Sequence, residues 1–475
     1  MIIKNLSSVE KYNIEILIIG SGPAGISTAL KLEQYKIKSL IIEAGDIEQK
    51  EDANLFLDGK VIGNSYPDLS SLRMRQFGGT SGHWGGSCNY FTTDDLKKWP
   101  IDLEQVSIYF NETKDILEIK SDFYNQNFSN NLRNYNLLDS NVRFGDKYYN
   151  HVNYSKYIYL SLNTSFLKFN SNKNNKNISS ITCKKDGKEH ELKSKYFILA
   201  CGGIENSRLL LWSREKNKNL LDPRLPIGES YMNHPAYAVG EGIVNIDKYN
   251  SYFKENKIQT LPYISCHKMT CFSSNEKFLV ENNIYNSAIY MEFKESWDVN
   301  STIEQLRCIA PNYFKEIYED FLQKRIYKIN IRTIQEQSTK KNKITLDKKT
   351  DPNGIPKSKI FWKQSSEELE SARKIVEEIG KIFIDYDLGR ISLYDYMYSG
   401  EKNYPLTVGN HQLGGTTMGY NSKDSVVDKN LKVHGVENLF ISGSSVFTTS
   451  GHCHPTFTII ALSLRLGDHI KQQIS

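Results

Sequence analysis

The spacing of apolar residues changes several times along the chain. Ile14 to Ile19 is a short, mostly β-branched apolar run without regular alternation, the pattern of a strand buried on both faces of a parallel sheet. Ile26, Ala29, Leu30 and Leu32 then recur at helical spacing, and Ser39 to Ile42 is a second apolar strand ending at Glu43. Ile158 to Gly203 reads as strands separated by turns. Asn170 to Asn177 is a hairpin tip or short loop, and Asp186 to Lys188 is a second hairpin turn. Tyr196 to Ala200 is a buried strand that runs into Gly202-Gly203 and a helix through Glu205 to Ser213. Lys343 to Lys363 predicts strand, Asp-Pro-Asn-Gly turn and strand, and Ser365 to Phe383 predicts a helix with a serine N-cap and acids in its first turn. A last helix runs from Thr456 through Ile459, Leu462 and Leu466, with Pro455 at its first position and His454 at its cap.

This order predicts an α/β chain with a Rossmann-like unit first and a second, sheet-plus-helix α+β unit after it. Glycine-rich loops vanish between about Met232 and Gly400, where aromatic, charged and Asn residues rise. The expected division is 1–235, with a β-meander insertion near 158–195, then 236–404, then a return to the first unit over 405–475.

Composition adds exclusions. The chain has 475 residues, enough for more than one core, and its net charge of +5 is spread without a dense basic block. That argues against a nucleic-acid partner. No apolar run is long enough to span a bilayer. Residues 1–13 carry neither an apolar signal core nor a twin arginine, so a cytoplasmic location is expected. Seven cysteines without a Cys-x-x-Cys pattern favour free thiols. Cys266 and Cys271 bracket His267 with no second ligand pair nearby, so no metal site is expected.

The chemistry begins in the turn after the first strand. Gly20-Ser21-Gly22-Pro23-Ala24-Gly25 is Gly-x-Gly-x-x-Gly between a strand and a helix, with Glu43 at the end of the next strand. Gly20 permits the tight turn, Gly22 lets backbone approach a pyrophosphate, and Gly25 lets helix and strand pack closely. The helix N-terminus offers its positive dipole end to the phosphates, and Glu43 is placed to accept ribose hydroxyls. The full context points to an ADP-containing dinucleotide without separating FAD from NAD. Further on, "RQFGGTSGHWGGSC" (Arg75 to Cys88) sets a Trp among glycines, as for backbone pressed against a flat ligand.

From Ile14 to about Ile470 these pieces, in this order, resemble the glucose–methanol–choline (GMC) oxidoreductases. The matching stretches are "GSGPAG…EAG", "FGGTSGHWGG", "FILACGGIENSRLLLWS" followed by "IGESYMNHP" (Ile227 to Pro235), and "HQLGGTTMG…ISGSSVFTTSGHCHPTFTIIALSLRLGDHI". The resemblance implies an FAD-binding fold like that of glutathione reductase, joined to a substrate-binding unit that is only weakly alike. It implies FAD contacts at Gly20 to Gly25, Glu43, Ala44, Gly78, Gly79, Thr80, His83, Trp84, Gly85, Gly86, Ala200, Gly202, Gly443, Ser444, His454, Pro455 and Thr456. It places the catalytic pair at His411, which opens the "HQLGGTTMG" motif, and at His454, directly before Pro455. His452 and Cys453 fall where the family has small residues and are expected to be packing. The FAD is expected to be non-covalent, with His83 as the position for a covalent link.

The implied activity is oxidation of a CH–OH group of a sugar, sugar derivative or polyol by hydride transfer. An alcohol or sugar is the expected substrate, and oxygen, a quinone or a separate redox protein the expected electron acceptor. Two other readings stay open at this point: an FAD-containing lyase of the same fold and a non-catalytic flavoprotein. A metal hydrolase built on His411, His452 and His454 fails on the intact dinucleotide loop.

Overall fold

Five short strands, every residue of them buried except the first of Tyr196–Leu199, build the sheet that organises the chain. The structure is a computed structural model and describes residues 1–171, 176–258, 269–294, 308–315, 326–337, 342–400, 405 and 407–474. The five strands lie in the order Leu439–Ile441, Tyr196–Leu199, Ile16–Ile19, Ser39–Ile42, Ile158–Ser161, and every neighbouring pair is parallel. The centre falls on Ile16–Ile19, whose Ile16 is opposite Tyr196 on one side and Ser39 on the other. Burial on both faces explains why these strands carry apolar runs and no alternation.

The turn that leaves the central strand needs its glycines for three different reasons. Gly20 has φ +104°, and a Cβ there would meet the Ala200 carbonyl oxygen at 2.5 Å. A Cβ on Gly25 would meet the Gly20 carbonyl oxygen at 2.1 Å, so strand and helix could not close together. Gly22 is extended, and a Cβ there meets nothing within 4 Å. The helix Pro23–Gln34 begins directly after it, with Pro23 where a missing N–H costs nothing. The last helix, Thr456–Ile474, packs alongside it.

The strand Ile158–Ser161 belongs to this parallel sheet, so the meander expected near 158–195 is narrower. It comprises Thr164–Ser171, Ile178–Lys185 and Lys188–Lys193. Its second turn is Asp186-Gly187, both at positive φ, as a two-residue hairpin requires. The first turn, expected over Asn170 to Asn177, lies mostly outside the described residues.

A second sheet is antiparallel, in the order Gly389–Leu393, Pro235–Asn245, Ile326–Gln335, Ser287–Lys294, Met269–Ser274, Leu132–Tyr135, Asn125–Asn127, with Thr407–Val408 added beside Pro235. The helix Ser366–Asp385 covers one face, opened by Ser365 and Glu368 in a reciprocal capping box. Phe128, Tyr249, Phe253, Phe272, Ile331, Ile375 and Phe383 form the core between them. This sheet draws Asn125–Asn127 and Leu132–Tyr135 from the stretch expected in the first unit.

The hairpin Lys343–Thr350 with Pro356–Trp362, expected in the second unit, instead pairs in parallel with Gly59–Gly63. It packs on the helix Gly203–Lys216. Buried charges fasten it there. Arg208 donates to Asp351 at 2.6 Å, to the Pro356 carbonyl at 2.7 Å and to Glu205 at 2.5 Å, and Arg73 donates to the other Glu205 oxygen at 3.0 Å. The Arg208 and Asp351 side chains are each 3% exposed. Removing one partner of such a pair strands the other charge. Arg208→Ala is therefore expected to lose about 3–5 kcal/mol of stability, measured as a fall in the denaturant midpoint.

Candidate active site

The carboxyl ends of the parallel strands open onto a cavity of about 520 Å³, the position where open α/β sheets take their ligands. The strands end at Ile19, Ile42 and Leu199, and the loops that follow form much of the wall. Gly20 to Ala24, Glu43 and Ala44, Gly79 and Thr80, His83 to Gly86, Ala200 and Gly202, Gly443 and Ser444, and His454 to Thr456 all line it, together with His411. Gly25 and Gly78 do not reach the cavity. Gly25 is consumed in strand–helix packing, and a Cβ on Gly78 would meet the Gly145 nitrogen at 2.2 Å.

Glu43 is buried at the cavity wall, and its carboxylate already has work. One oxygen accepts from the Ser21 N–H at 3.1 Å and the Ser21 hydroxyl at 2.7 Å; the other accepts from the Gly45 N–H at 2.7 Å. Burial pushes its pKa up, against those hydrogen bonds. Lone-pair capacity remains on the second oxygen. Several wall residues were not singled out from sequence: Phe56, Arg73, Arg75, Glu205, Arg208 and Asp351. Arg75 lies 4.0 Å over the Phe56 ring and donates to Ser165. It stands just before the Phe77-Gly78-Gly79 turn, and an arginine at the entry to a glycine loop was the available signal.

The same cavity is lined by two further histidines. The rings of His411 and His454 are 5.0 Å apart, edge to face at 75°. Burial holds His454 down to about 4, helped by the charge on His452, and holds His411 well below the ordinary histidine value, helped by His234 and His454. Both imidazoles are neutral at pH 7. The first helical hydrogen bond of the last helix runs from the Ile459 N–H to the Pro455 carbonyl at 2.9 Å. That makes Pro455 the cap, and His454 stands one position outside it rather than at it.

His234, at the end of the quoted "IGESYMNHP", had no assigned role. It is fully buried, and its Nδ1 lies 2.8 Å from Nδ1 of His411. Asn233 beside it accepts through Oδ1 from the backbone N–H groups of His234 and His411, at 2.8 and 2.9 Å. Nothing local in the sequence ties residue 234 to residue 411.

His452 faces away from the cavity wall, and Cys453 is buried beside it. His452 Nδ1 lies 3.4 Å from Asp95, and its Nε2 lies 3.7 Å from the Cys453 sulfur. Among the described residues, Asp95, His452 and Cys453 are buried with their ligand-type atoms within 4.8 Å of one another, a grouping that could hold a metal ion. The imidazole points a different nitrogen at each neighbour, so its two nitrogens do not converge on one point; Nδ1 faces Asp95 at ion-pair distance without a hydrogen bond. His452 is thus more than packing: it ties the Thr92–Asp95 capping box to the loop that carries His454. The six cysteines among the described residues are free. Cys266 and His267 lie outside the described residues. Among those residues no helix is long and apolar enough to cross a membrane.

Burial opposes the charge on His452, but the Cys453 sulfur and the Asp95 carboxylate outweigh it and hold the imidazolium well above the ordinary value. Asp95 is likewise held below the usual carboxylate range, burial notwithstanding, by His452 and Thr92. The signs set a window. The Asp95 contribution is present above its unfolded value and is lost as pH falls through the folded one. The His452 contribution is full below about 6.5 and is lost as pH rises through its raised value. His452→Ala is expected to cost about 3–5 kcal/mol by stranding Asp95. The deficit relative to wild type, measured by chemical denaturation, is expected to be largest between these limits.

Comparison with known proteins agrees with this architecture. Residues 338–463 match the family model described as GMC oxidoreductase, C-terminal. The chain is 26% identical over 298 residues to 2-methyl-1,2-propanediol dehydrogenase of Mycolicibacterium austroafricanum, covering 61% of this chain and 50% of that protein. It is 44% identical over 69 residues to the fructose dehydrogenase large subunit of Gluconobacter japonicus, covering 14% of this chain and 13% of that one. The aligned stretch thus spans half the length of the first relative and less of the second. Two solved structures share the fold over 97% of this chain. Pyridoxine 4-oxidase of Mesorbium loti has a TM-score of 0.62 at 13% identity and is covered over 99% of its length. Formate oxidase of Aspergillus oryzae RIB40 has a TM-score of 0.59 at 14% identity and is covered over 98%.

Proposed function

We propose, from the premise that this chain belongs to the GMC oxidoreductases, that it is an FAD-dependent enzyme oxidising a CH–OH group of a sugar, polyol or related alcohol to a carbonyl. The observation that carries the reading is the meeting, in one cavity, of the open Gly22 cradle with two neutral histidines. The names of the two curated relatives, a diol dehydrogenase and a sugar dehydrogenase, favour the substrate class.

The residues fit the cofactor. Gly20 to Ala24 would hold the pyrophosphate against the helix N-terminus, and Glu43 the adenosine ribose. The loop from Gly79 to Gly86 would lie against the flat ring, with Gly443, Ser444 and Pro455 to Thr456 across from it. His83, exposed beside the half-buried Trp84, lines the same wall, and we assign it contact rather than a covalent link. Bound there, FAD supplies the hydride acceptor.

This chain's own groups deal with the proton. An alcohol that gives up hydride while keeping its proton would leave a protonated carbonyl, at high cost. A neutral imidazole within reach of the hydroxyl removes that cost. His411 takes the proton, and His454 holds the oxygen and orients the C–H bond. The first turn of the last helix directs unpaired N–H groups toward the same region and favours negative charge there.

The test is anaerobic mixing of the purified yellow protein with D-fructose, 2-methyl-1,2-propanediol and pyridoxine, the alcohols suggested by the relatives' names. Loss of flavin absorbance with at least one of them is expected. Bound FAD that no alcohol reduces would return the lyase or carrier reading. Trichloroacetic acid should leave the colour in the supernatant; colour in the pellet would make His83 a covalent anchor.

Three further outcomes follow from the geometry. Gly22→Val should fold, because its Cβ meets no protein atom within 4 Å, yet purify without FAD; normal occupancy would sink the cofactor assignment. His411→Ala should slow flavin reduction by on the order of 10²–10⁴, and His454→Asn should be milder than His454→Ala because it keeps a hydrogen-bonding group. The base must be neutral to act, and His411 lies well below its ordinary value. The reduction rate should therefore stay flat as pH falls through about 6.5 and decline only below it; a loss centred at that value would contradict His411 as the base.

A further inference from the structure

We infer that His234 is a positioning residue that fixes the tautomer of His411, so that Nε2 of His411 carries the lone pair. The inference rests on the proposed role of His411 as base and goes further by naming what makes it one. Two hydrogen bonds determine the protons. His234 Nε2 lies 2.9 Å from the Ser450 carbonyl oxygen. A carbonyl oxygen only accepts, so Nε2 of His234 must carry hydrogen. The neutral ring then has a lone pair at Nδ1, and Nδ1 of His411 lies 2.8 Å from it. Two lone pairs cannot face each other at that distance, so Nδ1 of His411 donates. In a neutral ring this leaves Nε2 of His411 as the acceptor, on a residue that lines the cavity.

Burial reinforces the arrangement. His234 is held to about 4, mainly by burial, so it remains the neutral acceptor across the working range. In free histidine the favoured neutral form places hydrogen on Nε2, the opposite of what a base at this atom needs. His234 reverses that preference. Its second hydrogen bond reaches the loop that continues to His454, so one ring fixes the tautomer of the base and the anchor of its partner.

The consequence can be read with or without turnover. Holoprotein is labelled with ¹⁵N in the histidine rings, and the His411 signals are identified by their loss in His411→Gln. At pH 7 the wild type should show Nδ1 of His411 protonated and Nε2 unprotonated. In His234→Ala the Nε2–H form should appear. His234→Gln should keep the wild-type pattern, because its amide can accept from His411 and donate to Ser450. With whichever of the three alcohols reduces the wild type, His234→Ala should slow flavin reduction about 10²-fold, the lower end of what a positioned base supplies. FAD content should be unchanged, and His234→Gln should recover most of the rate. A wild-type His411 protonated at Nε2, a His234→Ala variant unchanged in tautomer and rate, or a His234→Gln variant as slow as His234→Ala would each overturn the inference. If His234→Ala does not fold, the wild-type signals and His234→Gln still decide. If His411→Ala reduces flavin normally, the proposed function fails, while the ring signals still report on His234.

Discussion

One amide oxygen holds the histidines of the cavity together. Oδ1 of Asn233 accepts from the N–H of His234 at 2.8 Å and from the N–H of His411 at 2.9 Å. Its own amide nitrogen donates to Tyr66 at 2.7 Å, and its backbone N–H donates to Gln337. Gln337 in turn donates from its backbone to Ser450. The loops that carry His234, His411 and Ser450 are therefore joined through short, buried polar contacts that water cannot replace without moving backbone. Buried networks of this kind are costly when incomplete and specify one arrangement when complete. The distance between the two cavity histidines, and hence any chemistry that needs both, depends on this clamp.

The clamp sits where two differently built sheets meet. Pro235–Asn245 begins directly after His234, so a strand of the second sheet fixes the backbone exit of the clamp. Leu439–Ile441 ends the parallel sheet and leads through Gly443 and Ser444 toward Ser450. Ser444 Oγ donates to the Gln412 carbonyl at 2.6 Å, beside His411. The parallel sheet thus supplies the glycine loops of the cavity, and the junction of the sheets supplies the histidines. Among the described residues, no aromatic residue of the second sheet lines this cavity. Phe128 and Phe272 lie with ring centroids 4.7 Å apart inside its core, so they stabilise the sheet rather than form a platform for a sugar face.

What could be read from sequence alone was local. Gly20, Gly22 and Gly25 occupy one turn, and their spacing alone encodes a positive φ, an open approach and a close helix contact. The capping serine Ser365 and the Asp186-Gly187 turn are equally local. Pro455 was misplaced by one position because composition cannot say which carbonyl opens a helix. His234 and Asp95 were missed for a different reason. Each acts on a residue more than a hundred positions away, through side-chain geometry that no periodicity records. The hairpin from Lys343 was legible as a hairpin, but its partner strand, Gly59–Gly63, contains two glycines and no apolar run, so its place in the fold was not.

The distribution of charge around the histidines follows from the same packing. His452 is an imidazolium, yet His454, two residues on, is neutral. Asp95 compensates the first and nothing compensates the second, so burial decides it. His452 and Asp95 are both buried and do not line the cavity, so the charge on His452 acts on the cavity only through space. A proton accepted at Nε2 of His411 would meet that charge, the neutral rings of His234 and His454, and the positive end of the last helix. None of these stabilises an imidazolium. If His411 acts as proposed, its protonation would be favoured only while negative charge is present in the cavity. Under the proposed function, a group held so far below its ordinary pKa would still take a proton, because the charge favouring its protonation would be the charge that the proposed reaction creates.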